Sequence, residues 1–212
     1  MAESKSDALR LQMINAQLRT CDINDLDLLA AFAAVAREDF VAPAQRGLAY
    51  ADGEVASAGP AGRKLLSPRT LGLLLKCAAP AKGERALVVG GGAGYCAALL
   101  VALGLDVVAL ETDASAARAA KLGPVEIVEG PLSEPPPGKF DVIVINGAFE
   151  ETPQRLIAAL REGGRLVALR AGSRAKQIVL FERSGGGVSE RGLYDASGDV
   201  LPGLARAHVF SL

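Results

Sequence analysis

Apolar residues recur at helical spacing near the start of the chain, at Leu9, Met13 and Leu18 and, after the break Asp22-Ile23-Asn24-Asp25, at Leu26, Leu29, Phe32 and Ala33. Two helices are therefore expected between residues 7 and 40. Residues 41–68 are rich in Gly, Ala and Pro without a clear period, which predicts an ordered loop near the site, and helical character resumes over 70–79. From Arg85 the rhythm changes to short apolar runs, with predicted strands at 86–89, 107–110, 125–128, 141–145 and 165–169 and predicted helices at 95–103, 114–122 and 152–161. This alternation needs crossover connections and so predicts a parallel sheet with helices on both faces. The pattern then breaks. Apolar runs at 178–181 and 188–194 flank Ser184-Gly185-Gly186-Gly187, which reads as an antiparallel hairpin at the far edge of the sheet. The predicted fold is α/β, a doubly wound, mostly parallel sheet with an antiparallel C-terminal hairpin, preceded by N-terminal helices. Its expected parts are 1–80, a helical extension with a substrate-side loop, and 81–212, a Rossmann-like ligand-binding domain, packed as one compact unit.

Residues 86–105 carry no charge and are long enough to be taken for a membrane helix. Gly90, Gly91, Gly92 and Gly94 cluster inside them, however, which in water reads as strand, turn and buried helix. Charge adds little: 23 Lys and Arg against 24 Asp and Glu leave a net −1, so no basic face is forced and neither nucleic acid nor a membrane is expected as a partner. Cys21, Cys77 and Cys96 form no CxxC pair, and His208 is the only histidine. No metal site is expected, and a reducing, cytoplasmic setting follows. The first dozen residues lack the basic and apolar blocks of a signal peptide.

The glycine cluster falls between the first predicted strand and its crossover helix, the edge where an open parallel sheet binds ligands. A dinucleotide fingerprint would need a third glycine at the position of Tyr95; the spacing here is G-x-G-x-G. Such a turn suits a ligand without a pyrophosphate. Glu111, at the end of the second strand, is placed to accept hydrogen bonds from ribose hydroxyls. S-adenosyl-L-methionine meets both conditions, and the terminal hairpin is more typical of class I methyltransferases than of dehydrogenases. A turn that serves packing alone stays open, as does a nicotinamide-dependent oxidoreductase.

Several stretches in order resemble the protein-L-isoaspartate O-methyltransferase family over roughly residues 13–203. They are Met13-Ile14-Asn15-Ala16-Gln17-Leu18-Arg19, Val35-Ala36-Arg37-Glu38-Asp39-Phe40-Val41, Ala49-Tyr50-Ala51-Asp52, the turn ending Gly94-Tyr95, Phe140-Asp141-Val142-Ile143-Val144, Gly163-Gly164-Arg165-Leu166-Val167 and Val200-Leu201-Pro202-Gly203. The resemblance implies methyl transfer from adenosylmethionine to the free carboxylate of L-isoaspartyl residues in damaged proteins. The cofactor-binding candidates are Gly90, Gly91, Gly92, Gly94, Tyr95, Glu111, Thr112, Leu132 and Asn146, and the catalytic candidate is Ser67.

Three positions depart from the family's pattern. Val88 stands where an acidic residue precedes the turn, Pro131 in Glu129-Gly130-Pro131-Leu132 stands where Asp is expected near the adenine, and Leu66 takes the place of a serine in the loop Arg63-Lys64-Leu65-Leu66-Ser67-Pro68. These departures motivate an alternative: a catalytically inactive binding or regulatory protein on the same fold. Arg63 and Lys64 read either as groups that attract a carboxylate or as solvated loop charges. Asn146-Gly147 reads either as a polar group at the mouth of the site or as a tight turn. Cys96 is read as a buried, inert thiol rather than an activated one, and His208 as a structural or surface residue.

Overall fold

The computed structural model describes residues 5–119, 123–172 and 175–206; His208 and residues 120–122 lie outside them. The two expected N-terminal helices are α1 (Lys5–Met13), which runs on through a wider turn over Ile14–Leu18 and a tighter one over Arg19–Cys21, and α2 (Leu26–Ala34). The break between them is made by Asp22, whose φ of 58° ends the first helix, and by Asp25, whose side chain caps α2 by accepting from the Leu28 amide at 2.8 Å. The loop over 41–66 is ordered by short elements: a helical turn at Pro43–Leu48 and the antiparallel pair β1 (Val55–Ala56) and β2 (Lys64–Leu65). Helix α3 (Pro68–Ala78) follows.

The uncharged stretch folds as β3 (Arg85–Val89), the glycine turn and α4 (Tyr95–Ala102), and among the described residues no helix is long and apolar enough to cross a membrane. Next come β4 (Asp106–Glu111), α5 (Ser115–Ala119), β5 (Val125–Glu129), β6 (Phe140–Phe149), α6 (Gln154–Ala158), β7 (Leu160–Arg170), β8 (Gln177–Ser184) and β9 (Gly187–Asp195). They form one seven-stranded sheet in the order β5-β4-β3-β6-β7-β8-β9, parallel through β7 and antiparallel for the last two. The C-terminal hairpin thus sits at the far edge, as the sequence predicts. Helix α6 is shorter than expected because β7 begins at Leu160, which already pairs with Phe140.

Alternate residues of β3 enter opposite cores. Val88 joins Leu18, Phe32, Leu74 and Val144 under the helices of the N-terminal half, while Leu87 and Val89 join Ile143, Phe149 and Leu166 on the other face. A parallel sheet covered on both sides has no polar face, which is why its strands read as continuous apolar runs.

A buried cation ties the N-terminal elements to this sheet. Arg37 is fully buried; it donates to the carbonyls of Ala49 at 2.8 Å and Leu66 at 2.7 Å, and its guanidinium carbon lies 5.1 Å from the centre of the Tyr95 ring. Arg37→Ala removes both bonds, strands two carbonyls and leaves a void beside Tyr95. We expect a loss of about 3 kcal/mol, read as a lower urea midpoint at unchanged slope.

Candidate active site

The glycine turn closes the C-terminal end of β3. Gly90 and Gly92 hold φ of 71° and 65°, a region that side chains rarely adopt. The turn wraps around Glu111, the last residue of β4, whose Oε1 accepts from the Gly92 amide and whose Oε2 faces the Thr112 amide at 3.3 Å. Glu111 is buried, with its side chain 2% exposed, and Arg63 approaches it at 3.7 Å, itself 11% exposed and donating through the same Nη2 to the Gly90 carbonyl.

Arg63 arrives there on the segment 57–63. The Ser57 hydroxyl accepts from the Ala93 amide at 3.1 Å and the Gly59 amide at 3.0 Å, and the Ser57 amide donates to the Arg63 carbonyl at 3.0 Å. A methyl group built on Gly90 would fall 2.6 Å from both Arg63 Nη2 and Leu201 Cδ1, and one on Gly92 would fall 2.7 Å from Ser57 Oγ. The turn is thus covered at close range by the protein's own side chains.

The structure brings Gly90, Gly91, Gly92, Gly94 and Glu111 together as the sequence predicts. Thr112 is exposed beyond them and offers its amide. Leu132 is buried against the turn, 3.3 Å from a methyl built on Gly90. Asn146 is buried, and its Oδ1 has no hydrogen-bond partner among the described residues. It lies within β6 at a register shift between Val144 and Ala148, so the Asn146-Gly147 pair forms a bulge and not a tight turn. Residues 199–201 run alongside: the Ala148 amide donates to the Asp199 carbonyl at 2.8 Å, and Leu201 leaves no room for a side chain at Gly147.

Two candidates serve elsewhere. The Tyr95 ring is buried among Phe32, Phe40 and Arg37, so only its backbone borders the turn. Ser67 caps α3: its hydroxyl accepts from the Thr70 amide and donates to Thr70 Oγ1, each at 3.1 Å. Of the departures, Val88 is buried between Ala109 and Val144, Leu66 is buried with its carbonyl on Arg37, and Pro131 is exposed. Ser57, Gly59 and Leu201 were not found from the sequence. The run Ser57-Ala58-Gly59-Pro60-Ala61-Gly62 carried the available signal, since small residues permit close approach to another backbone.

A cavity of about 170 Å³ opens beside Arg63, lined by Glu54, Lys64, Leu66, Asn146 and Asp199. A larger depression of about 860 Å³, between α2 and the C-terminal ends of α3 and α4, includes Lys82 just ahead of β3. It lies at the wrong end of the strands to meet the turn. The groups at Glu111 suit adenosylmethionine: a buried carboxylate for a ribose diol, a glycine turn free of side chains of its own and apolar walls from Leu132 and Leu201. The cavity beside Arg63 holds about 170 Å³ against the roughly 300 Å³ of a small ligand pocket, and Glu111 and the turn's glycines lie outside its lining. Arg63 and Leu201 stand over Gly90 at the Glu111 edge.

The family model described as protein-L-isoaspartate(D-aspartate) O-methyltransferase matches residues 10–194. This chain belongs to that family. A protein-L-isoaspartate O-methyltransferase of Methylorubrum populi is 36% identical over 170 residues, covering 76% of this chain and 79% of the relative, and one from Bradyrhizobium is 32% identical over 205 residues, covering 92% and 94%. Among solved structures, a protein-L-isoaspartate O-methyltransferase superposes with a TM-score of 0.79 at 22% identity, covering 92% of this chain and 67% of that one. A second, from Plasmodium falciparum in complex with S-adenosyl-L-homocysteine, superposes with a TM-score of 0.78 at 19% identity, covering 95% and 100%. These two establish the class I methyltransferase fold, a mostly parallel sheet with the antiparallel hairpin.

Burial raises the Glu111 carboxyl above its ordinary value, while Arg63 and the amides of Gly92 and Thr112 pull it back down. A carboxyl with a raised folded-state pKa favours the fold at low pH, and that contribution is lost as pH rises through the raised value. In this family member the stability difference between wild type and Glu111→Gln should therefore shift against the wild type as pH rises through that range, measured by urea unfolding at a series of pH values. Burial also pushes the Cys96 thiol up to about 12. Cys96 should resist thiol reagents at pH 8 in the native protein and react only after denaturation, as peptide mapping of the labelled chain will read.

Proposed function

We propose that this chain is an S-adenosylmethionine-dependent protein carboxyl O-methyltransferase that acts on L-isoaspartyl residues of damaged proteins, the first step of their repair. The observation that carries this reading is the buried Glu111 carboxylate held at the glycine turn of a chain in this family. Membership favours the enzyme over a fold that has kept binding alone.

Adenosylmethionine supplies a methyl group on a positively charged sulfur that leaves readily. The acceptor carboxylate is already ionised at neutral pH, so the protein's task is to place it, with no general base required. Glu111 takes the ribose hydroxyls, the backbone of 90–94 lies along the ligand, and Leu132 and Leu201 wall it. The Thr112 amide, which donates to Glu111 Oε2, helps hold the carboxylate at the ribose end. Asn146 lies at the acceptor side, where its unpartnered Oδ1 accepts a hydrogen bond from an incoming peptide amide. Lys64, half exposed beside the cavity, bridges Glu54 and Asp199. The segment 1–80 forms the substrate side and 81–212 the cofactor side of one unit. Ser67, committed to capping α3, takes no part in the transfer.

The partner is a protein or peptide with an isoaspartyl residue and not a nucleic acid. The free thiols Cys21, Cys77 and Cys96 support a reducing, cytoplasmic setting. Incubation with methyl-labelled adenosylmethionine should give a base-labile methyl ester on an isoaspartyl peptide and none on the same peptide with ordinary aspartate. Cofactor binding without transfer to any isoaspartyl peptide would sink the assignment.

A further inference from the structure

We propose that Arg63 is an internal occupant of the ribose subsite. Its guanidinium covers Glu111 in the cofactor-free protein and crosses to the carboxylates of Glu54 and Asp199 when adenosylmethionine binds, so Arg63 sets the cofactor affinity. This inference rests on the reading of Glu111 as the ribose acceptor.

Three observations carry it. Arg63 Nη2 holds the Gly90 carbonyl and lies 3.7 Å from Glu111, the carboxylate that a ribose diol needs. The same atom, together with Leu201 Cδ1, closes the space over Gly90, where even a methyl group would fall 2.6 Å from each. Its other terminal nitrogen, Nη1, is buried without a hydrogen-bond partner among the described residues. That nitrogen gains a partner when the guanidinium meets a carboxylate.

A destination is at hand. The cavity beside Arg63 is lined by Glu54 and Asp199, which share Lys64 at 3.6 Å and 3.0 Å. Lys64 is half exposed, so it yields either carboxylate to the guanidinium and returns to water at little cost. The device has two stations for one cation, and the ligand decides which is occupied.

The test is calorimetric titration of the full chain with S-adenosyl-L-homocysteine, comparing wild type, Arg63→Ala, Asp199→Asn and the double variant, with melting temperatures to verify folding. Arg63→Ala should bind about tenfold more tightly, as expected if the Arg63-in arrangement holds roughly nine-tenths of the free protein. Asp199→Asn should weaken binding several-fold in the wild-type background and leave it unchanged when Arg63 is absent. Equal or weaker binding by a folded Arg63→Ala overturns the proposal, and an Asp199→Asn effect of the same size in both backgrounds overturns the second station. Binding by Arg63→Ala but not by the wild type supports it in its strongest form. If no variant binds, Glu111 is not a ribose acceptor, and the proposed function fails together with this inference.

Discussion

The cofactor edge of this protein depends on a buried cation that no carboxylate among the described residues neutralises. Arg37 holds three separate pieces of chain: the carbonyl of Ala49 in the loop after α2, the carbonyl of Leu66 just before α3, and the face of Tyr95 at the start of α4. Burial lowers the guanidinium pKa, yet an arginine stays charged in any protein environment. Two backbone carbonyls and an aromatic ring hold it in place, while its Nη1 has no hydrogen-bond partner among the described residues. Tyr95 directly follows Gly94, so the contact that docks the N-terminal elements also fixes the exit of the glycine turn.

The consequence reaches the site through the segment between the two carbonyls. Residues 49 and 66 are both held by Arg37, and the chain between them carries Ser57 and Arg63 onto the turn. Groups that act at a ligand site are commonly borne on loops positioned by a rigid frame. In this chain the frame is the sheet edge at β3 and β4, and the loop is pinned at both ends by one side chain. The site therefore inherits its geometry from a residue that touches neither Glu111 nor the turn's glycines.

This layout explains which features were legible in the sequence. The strands were, because a sheet covered on both faces writes its presence as apolar runs such as Ala86-Leu87-Val88-Val89. The turn and Glu111 were, because both lie at strand ends whose order the alternation already dictates. Arg37 was not: within Arg37-Glu38-Asp39 it reads as one more surface charge, and only the packing of Tyr95 against it reveals otherwise. Ser57 and Arg63 reach partners 36 and 27 residues away, a distance over which periodicity carries no information. Asn146-Gly147 has the composition of a tight turn, but the close passage of Leu201 and Asp199 makes it a bulge. Ser67 stood beside a proline in a loop that resembled the family's, and the same proline, as the first residue of α3, makes it a helix cap.

Val88 and Arg63 have to be considered as a pair. Where the family's pattern has an acidic residue, Val88 is packed between Ala109 and Val144, so Glu111 is the carboxylate that remains against the turn. With Arg63 beside it, the Glu111 charge is offset by one cation, while Asp113 adds a further negative charge nearby. Adenosylmethionine has a cationic sulfur and an ammonium against a single carboxylate, a net positive charge, so the guanidinium beside Glu111 opposes its approach. A second carboxylate at position 88 would have raised the pKa of Glu111 further, since like charges in a buried site disfavour ionisation. This chain avoids that penalty and forgoes the extra negative charge. Departure of the guanidinium toward Glu54 and Asp199 leaves Glu111 without its cation at the moment a positively charged ligand arrives, so one side-chain movement uncovers the ribose acceptor and restores its charge.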